Sequence, residues 1–125
     1  MTNDTSTATA LAETYIEAWA TTDDATRRAL LDRVYSEDAE FFSAEDGDLR
    51  LTGRHAIAAN IGQVNVRDIQ GNGLHIVHTG TAINHRLIRV SWQMATPDGT
   101  VALQGMDVLL TDDEGRIRQD FILIG

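Results

Sequence analysis

The chain has 125 residues, enough for one domain with its own core, and it has no cysteine, which excludes disulfides, thiolate metal sites and cysteine nucleophiles. All ten basic residues are arginine, so no lysine is present to form a Schiff base. A formal net charge of −9 repels phosphate backbones and anionic lipid, so neither a nucleic acid nor a membrane is an expected partner.

The start, Met1 to Thr9, lacks the positive end and apolar centre of a secretory signal, and no apolar run reaches the length of a membrane span. A cytoplasmic protein whose residues 1–8 fray is the expectation. From Ala8 to Ala20, Leu11, Tyr15, Ala18 and Trp19 recur at spacings of three and four, which predicts a helix with Tyr15 and Trp19 on one face. A second helix runs over Asp23 to Tyr35, opened by Asp23-Asp24 at its dipole-favoured end and burying Ala29, Leu30 and Val34. A short strand at 39–43 sends Phe41 and Phe42 to opposite faces, and an acidic loop continues to Leu51. Thr52-Gly53 precedes a third helix, from Arg54 to about Val66, whose Ile57, Ile61 and Val64 form its stripe.

After Gln70-Gly71-Asn72-Gly73 the period becomes that of strands. Residues 74–79 form one, and about 85–95 a second that turns Ile88, Val90, Trp92 and Met94 one way and His85, Leu87, Arg89, Ser91 and Gln93 the other. Thr96-Pro97-Asp98-Gly99 is a turn, and the stretch 101–110 hairpins through Asp112-Asp113-Glu114-Gly115 into 116–124. The first arm of that hairpin is apolar in both phases. It needs helices on one face and another cover on the other, most simply a second copy of the chain. Helices followed by strands argue an α+β domain, a cone in which a curved, mostly antiparallel sheet closes over about three N-terminal helices.

No nucleotide-binding, metallopeptidase or nucleophile-elbow motif occurs, and no cofactor is expected. His75 and His78, three apart on a strand, face opposite ways, and no metal site is expected either. What remains is Asp107, between Met106 and Val108, which points either to solvent or into an apolar cavity where burial raises its pKa. Asp120 has the phase of Ile122 and Ile124. It either pairs with Asp107, the two dividing acid and base roles, or lies in solvent with Arg118. Tyr15, Trp19, Trp92 and Met94 are the cavity walls, or no more than a core stripe.

Around these residues the chain resembles the NTF2-like superfamily, in its SnoaL-like and ketosteroid-isomerase-like branch. The resemblance is carried by Leu11-Ala12-Glu13-Thr14-Tyr15-Ile16-Glu17-Ala18-Trp19, Ser36-Glu37-Asp38-Ala39, Thr52-Gly53-Arg54-His55-Ala56-Ile57, and Gly105-Met106-Asp107-Val108 through Asp113-Glu114-Gly115-Arg116-Ile117. It implies one SnoaL-like domain over residues 1–125 with a cystatin-like α+β cone. That scaffold hosts isomerases, cyclases, dehydratases, epoxide hydrolases and inert binding modules, so the resemblance does not choose an activity. It implies that Tyr15 matches the tyrosine donating to the substrate carbonyl oxygen in ketosteroid isomerases, and Asp107 their protonated aspartic acid. Where those isomerases carry their general-base Asp this chain has Ser43, and serine cannot take a carbon-bound proton unaided. Glu45 shares the strand phase of Ser43. The expected function is cofactor-free acid/base isomerisation, cyclisation or dehydration of a hydrophobic carbonyl compound. Asp107, Tyr15 and either Asp120 or a histidine (His78 or His85) would act, with Trp19, Trp92, Met94, Phe41, Ser43 and His78 around the substrate. The rival is a non-catalytic ligand-binding or protein-association domain.

Overall fold

The computed structural model describes residues 4–45 and 47–125, so Met1 to Asn3 of the stretch expected to fray, and Asp46 of the acidic loop, lie outside the described residues. Helix α1, Thr5–Ala20, begins ahead of the predicted Ala8 because Asp4 caps it, its carboxylate accepting the Thr7 N–H at 2.7 Å. Its stripe of Leu11, Ala12, Tyr15, Ile16 and Trp19 is buried, each large side chain contributing about 1.5–3 kcal/mol. Helix α2, Asp24–Val34, follows Asp23 as its cap.

Ala29, expected in the core, is exposed, and Arg27 is buried instead. The Arg27 Nε donates to the Ala18 carbonyl at 3.0 Å, Nη2 donates to the Thr21 carbonyl, and Nη1 pairs with Asp24 at 2.6 Å. Periodicity could not show this, because a guanidinium that satisfies the orphan carbonyls at the end of α1 leaves no apolar signal. Tyr35, predicted as the last helical residue, opens strand β1, Tyr35–Ser43. The part of the acidic loop near Leu51 is a strand, β2, Leu49–Thr52. Helix α3, Arg54–Val64, buries Ile57 and Ile61 and continues as a wide π-helical turn over Asn65–Gly71.

Strands β3, His75–Asn84, β4, Leu87–Ala95, β5, Val101–Thr111, and β6, Ile117–Ile124, complete a six-stranded sheet in the order β2-β1-β6-β5-β4-β3. Only the β1–β6 pairing is parallel among these neighbours. His85 is not on β4 as predicted; it sits in the β3–β4 turn with φ 54°, a left-handed conformation that ends the strand. The inward row of β4 is as read: Ile88, Val90, Trp92 and Met94 are all buried. A register shift between Leu110 and Thr111 brings Ile117 into the same interior. On the outer face Phe42 stacks on Phe121, with ring centroids 4.7 Å apart, and the Arg50 guanidinium lies over Phe42. The cone is therefore built as the sequence implied, with the helices against its inner face.

Candidate active site

The last hairpin delivers both acids to the interior. Register sets Asp107 opposite Ile122 and Asp120 opposite Leu109, so the two carboxylates occupy neighbouring inward positions on β5 and β6. Asp107 is 1% exposed and Asp120 is fully buried, which decides the phase of β6: Asp120, Ile122 and Ile124 face in, and Phe121 faces out. Arg118 pairs with Asp38 at 2.9 Å rather than with Asp120.

Helix α1 presents the Tyr15 phenol to both acids. Its oxygen lies 2.6 Å from Asp107 Oδ2 and 2.8 Å from Asp120 Oδ2, while the Tyr35 phenol from β1 lies 2.5 Å from Asp120 Oδ2. Three short oxygen–oxygen contacts need three hydrogens, and two phenols supply two. The third belongs to a carboxyl. Burial raises the pKa of both acids, and the charge of Asp107 beside it pushes Asp120 well above the ordinary aspartate range. Hydrogen bonds from Asp120, Tyr15 and Trp92, whose Nε1 donates to Asp107 Oδ1 at 2.9 Å, oppose the rise at Asp107. The two buried acids therefore hold one proton between them. Both phenols are themselves held protonated, first by burial and then by the neighbouring carboxylates.

Asp107 and Tyr15 form part of the wall of a cavity of about 190 Å³, while Asp120 and Tyr35 lie behind that wall. Trp19, Phe41, Trp92, Met94 and Ile122 make it apolar, and Ser43, Glu45, Asn60 and Asp68 add polar groups. A dry cavity of roughly 150 Å³ accepts benzene, so this one suits a one- or two-ring molecule. Five of the six predicted lining residues are there: Trp19, Trp92, Met94, Phe41 and Ser43. His78 is not. A bulge after it turns its Nε2 onto the Gly80 carbonyl at 3.1 Å and the Thr81 hydroxyl at 2.7 Å. Among the described residues no three metal-ligating side chains come together.

No family model matches the chain, and no curated protein does. A solved structure of a candidate isomerase of the SnoaL-like family from Agrobacterium tumefaciens superposes with a TM-score of 0.84 at 26% identity, covering 96% of this chain and 98% of that one. This is a SnoaL-like, NTF2-like fold. A SnoaL-like protein of unknown function from Burkholderia thailandensis has a TM-score of 0.76 at 14% identity, covering 100% and 99% of the two chains. A protein of ketosteroid-isomerase-like fold from Catenulispora acidiphila, solved with trimethylamine, has 0.68 at 14% identity, covering 90% and 83%.

Within this SnoaL-like cone four participants were not legible in advance. Tyr35 was assigned to a helix end, one residue short of the strand that aims it. Asn60 and Asp68 come from α3 and its π-helical continuation, whose widened period no apolar stripe marks. The fourth is the indole N–H of Trp92, read only as a wall. Its position depends on Gly105, which faces it across β4 and β5: a Cβ there would lie 2.9 Å from the Trp92 ring and would strike the Leu123 carbonyl oxygen. Gly105→Ala is expected to cost about 1–3 kcal/mol, as overpacking does, and to shift the tryptophan fluorescence. Unchanged thermal unfolding together with an unchanged emission spectrum would remove Gly105 from this account.

Proposed function

We propose that this SnoaL-like protein is a cofactor-free acid/base enzyme, an isomerase or lyase that moves a proton next to the carbonyl of a small, largely apolar compound. One observation carries the proposal: a buried carboxyl on a cavity wall, Asp107, has a second titratable carboxyl, Asp120, bridged to it behind the wall by the Tyr15 hydroxyl. A binding site has no need of that second acid; proton transfer does.

The roles are the reverse of those the resemblance implies. Asp107, whose two oxygens accept from Tyr15 and Trp92, is the carboxylate of the pair, hence the base toward a carbon-bound proton. Asp120 is the proton store, and Tyr15 bridges the two. Ser43 needs no catalytic duty, since the base comes from β5. The proton taken by Asp107 returns to another carbon in an isomerase, or departs with a leaving group in a lyase. The test is 1-indanone in deuterated buffer: the protein should speed loss of its α-protons, followed by NMR. Absence of any acceleration across cyclic ketones of this size would end the proposal.

A second reading is favoured by the aromatic walls around a carboxylate, the setting that suits an amine cation. The trimethylamine held by the Catenulispora relative points the same way. Under that reading the domain binds and does not catalyse, and trimethylamine would bind here while no ketone exchanged.

We also propose a cytoplasmic homodimer formed through the sheet. No described helix is long and apolar enough to cross a membrane. The outward side of β5 and β6 carries Met106, Val108, Phe121 and Leu123, the last 55% exposed. Light scattering at micromolar concentration should give twice the 13.7 kDa chain mass; a monomer would refute the pairing.

A further inference from the structure

Proton transfer next to a carbonyl puts negative charge on the carbonyl oxygen, and that oxygen needs a donor. The two acids consume the obvious ones. Tyr15 gives its O–H to the carboxylates, Trp92 gives its N–H to Asp107 at 2.9 Å, and the Trp19 N–H is closed off from solvent. Among the polar groups of the cavity wall, Glu45 and Asp68 carry carboxylates, which only accept when ionised. The Arg67 guanidinium is held by Asp68, through Nε and Nη2 at 3.0 Å each.

Asn60 is different. It lines the cavity from α3, and Val64, Arg67 and Asp68 follow it there at the three- and four-residue spacing of one helix face, so the helix meets the cavity with its side chains. The Asn60 carboxamide makes no hydrogen bond to another described residue. Nor is it sealed in: the residue is half-buried, and the described side-chain polar atoms that are both buried and unpartnered are Trp19 Nε1 and Asp120 Oδ1. An accessible N–H2 group therefore faces the cavity uncommitted. Ser43 also lines the wall, but its Oγ accepts the Glu45 N–H at 3.3 Å, which ties it to the exposed start of the acidic loop. Asn60 sits instead on a rigid element, anchored on either side by the fully buried Ile57 and Ile61.

We propose that the Asn60 side-chain amide holds the oxygen of the ligand, an apolar one- or two-ring compound bearing a carbonyl, in preference to a hydrocarbon of the same shape. This rests on reading the cavity as a substrate site. As Asp107 takes the α-proton, the C–H electron pair forms the enolate double bond and the carbonyl π pair moves to oxygen, where the Asn60 N–H meets the charge. Return of the proton from Asp107 to carbon reverses the flow.

The probes are 1-indanone and indane, alike in shape and differing in the oxygen. On wild-type protein, with the Asn60 side-chain amide assigned by triple-resonance NMR, 1-indanone should move its protons downfield and indane should leave them close to their free positions. Asn60→Leu, near in size and unable to donate, should weaken 1-indanone by about three- to tenfold, the worth of one hydrogen bond, and leave indane as tight or tighter. The kcat for α-proton exchange should fall further, by about 10²-fold, because the donor is worth most once the oxygen is charged. Equal shifts from the two probes overturn the proposal, as does equal weakening of both by the substitution. So does a loss of ketone binding that appears with Ser43→Ala and not with Asn60→Leu, which would move the donor to β1. So does trimethylamine binding without any binding of 1-indanone up to its solubility. The wild-type comparison stands even if a variant fails to fold. Ketone that binds through Asn60 without exchanging its α-protons supports this inference while sinking the proton-transfer reading. Exchange that is indifferent to Asn60→Leu, in both KM and kcat, does the opposite.

Discussion

Asp107→Asn should slow α-proton exchange of 1-indanone by about 10²–10⁴-fold, the range over which a positioned general base acts. The amide is nearly isosteric, so the cavity keeps its shape and the loss reports the missing base. The protein should also lose about 1–3 kcal/mol of stability, because two donors, Trp92 Nε1 and the Tyr15 hydroxyl, point at the carboxylate and an amide offers one acceptor. One of them would then meet an N–H2 group. In the wild type, exchange should rise with pH through a midpoint above the ordinary aspartate range, since burial raises the pKa of Asp107. An Asp107→Asn protein that exchanges as fast as wild type would exclude this carboxylate as the base.

Asp120→Asn should do the contrary to stability. Asp120 is buried, and its pKa is well above the value it takes in an unfolded chain. Below the unfolded value both states hold the proton and the group is neutral in the balance. Above it the unfolded chain has released the proton while the folded chain keeps it, so folding takes up a proton and stability falls as pH rises. The fall is at most about 1.4 kcal/mol per pH unit and stops at the folded-state pKa. The amide removes this dependence while resembling the neutral acid, with an oxygen for the phenols and an N–H2 toward Asp107. The stability of Asp120→Asn relative to wild type should therefore grow between about pH 4 and 7, measured by urea unfolding at each pH. Surface carboxylates held low by their partners, such as Asp98 at about 2, are common to both proteins and drop out of the difference. A constant difference across that range would show that Asp120 is ionised in the folded state, and the assignment of the stored proton would fail with it.

Alternation on β4 was sufficient to place Ile88, Val90, Trp92 and Met94 inside, because a pleated strand with one covered face writes that pattern directly into its residues. The spacing of Tyr15 and Trp19 on α1 was sufficient in the same way. It could not distinguish a core stripe from a cavity wall, since both are apolar. Nor could it reveal Arg27, whose burial depends on carbonyls at the end of another helix. His78 has an inward parity in the sequence and is turned aside by a bulge that leaves no mark in composition.

The order of elements, the apolar phases and a lone acid in each arm of the last hairpin were properties of the chain as written. They depend on neighbours within a few residues, which a linear pattern records. Which phase of β6 faces inward, and that the two acids meet around one phenol and share a proton, were decided only when α1, β1, β5 and β6 met. Each turns on an atom supplied from some ninety residues away, as Tyr15 is from Asp107, and on the exclusion of water that contact brings about. Burial and hydrogen-bond partnership exist only between elements, so no single segment could have contained them.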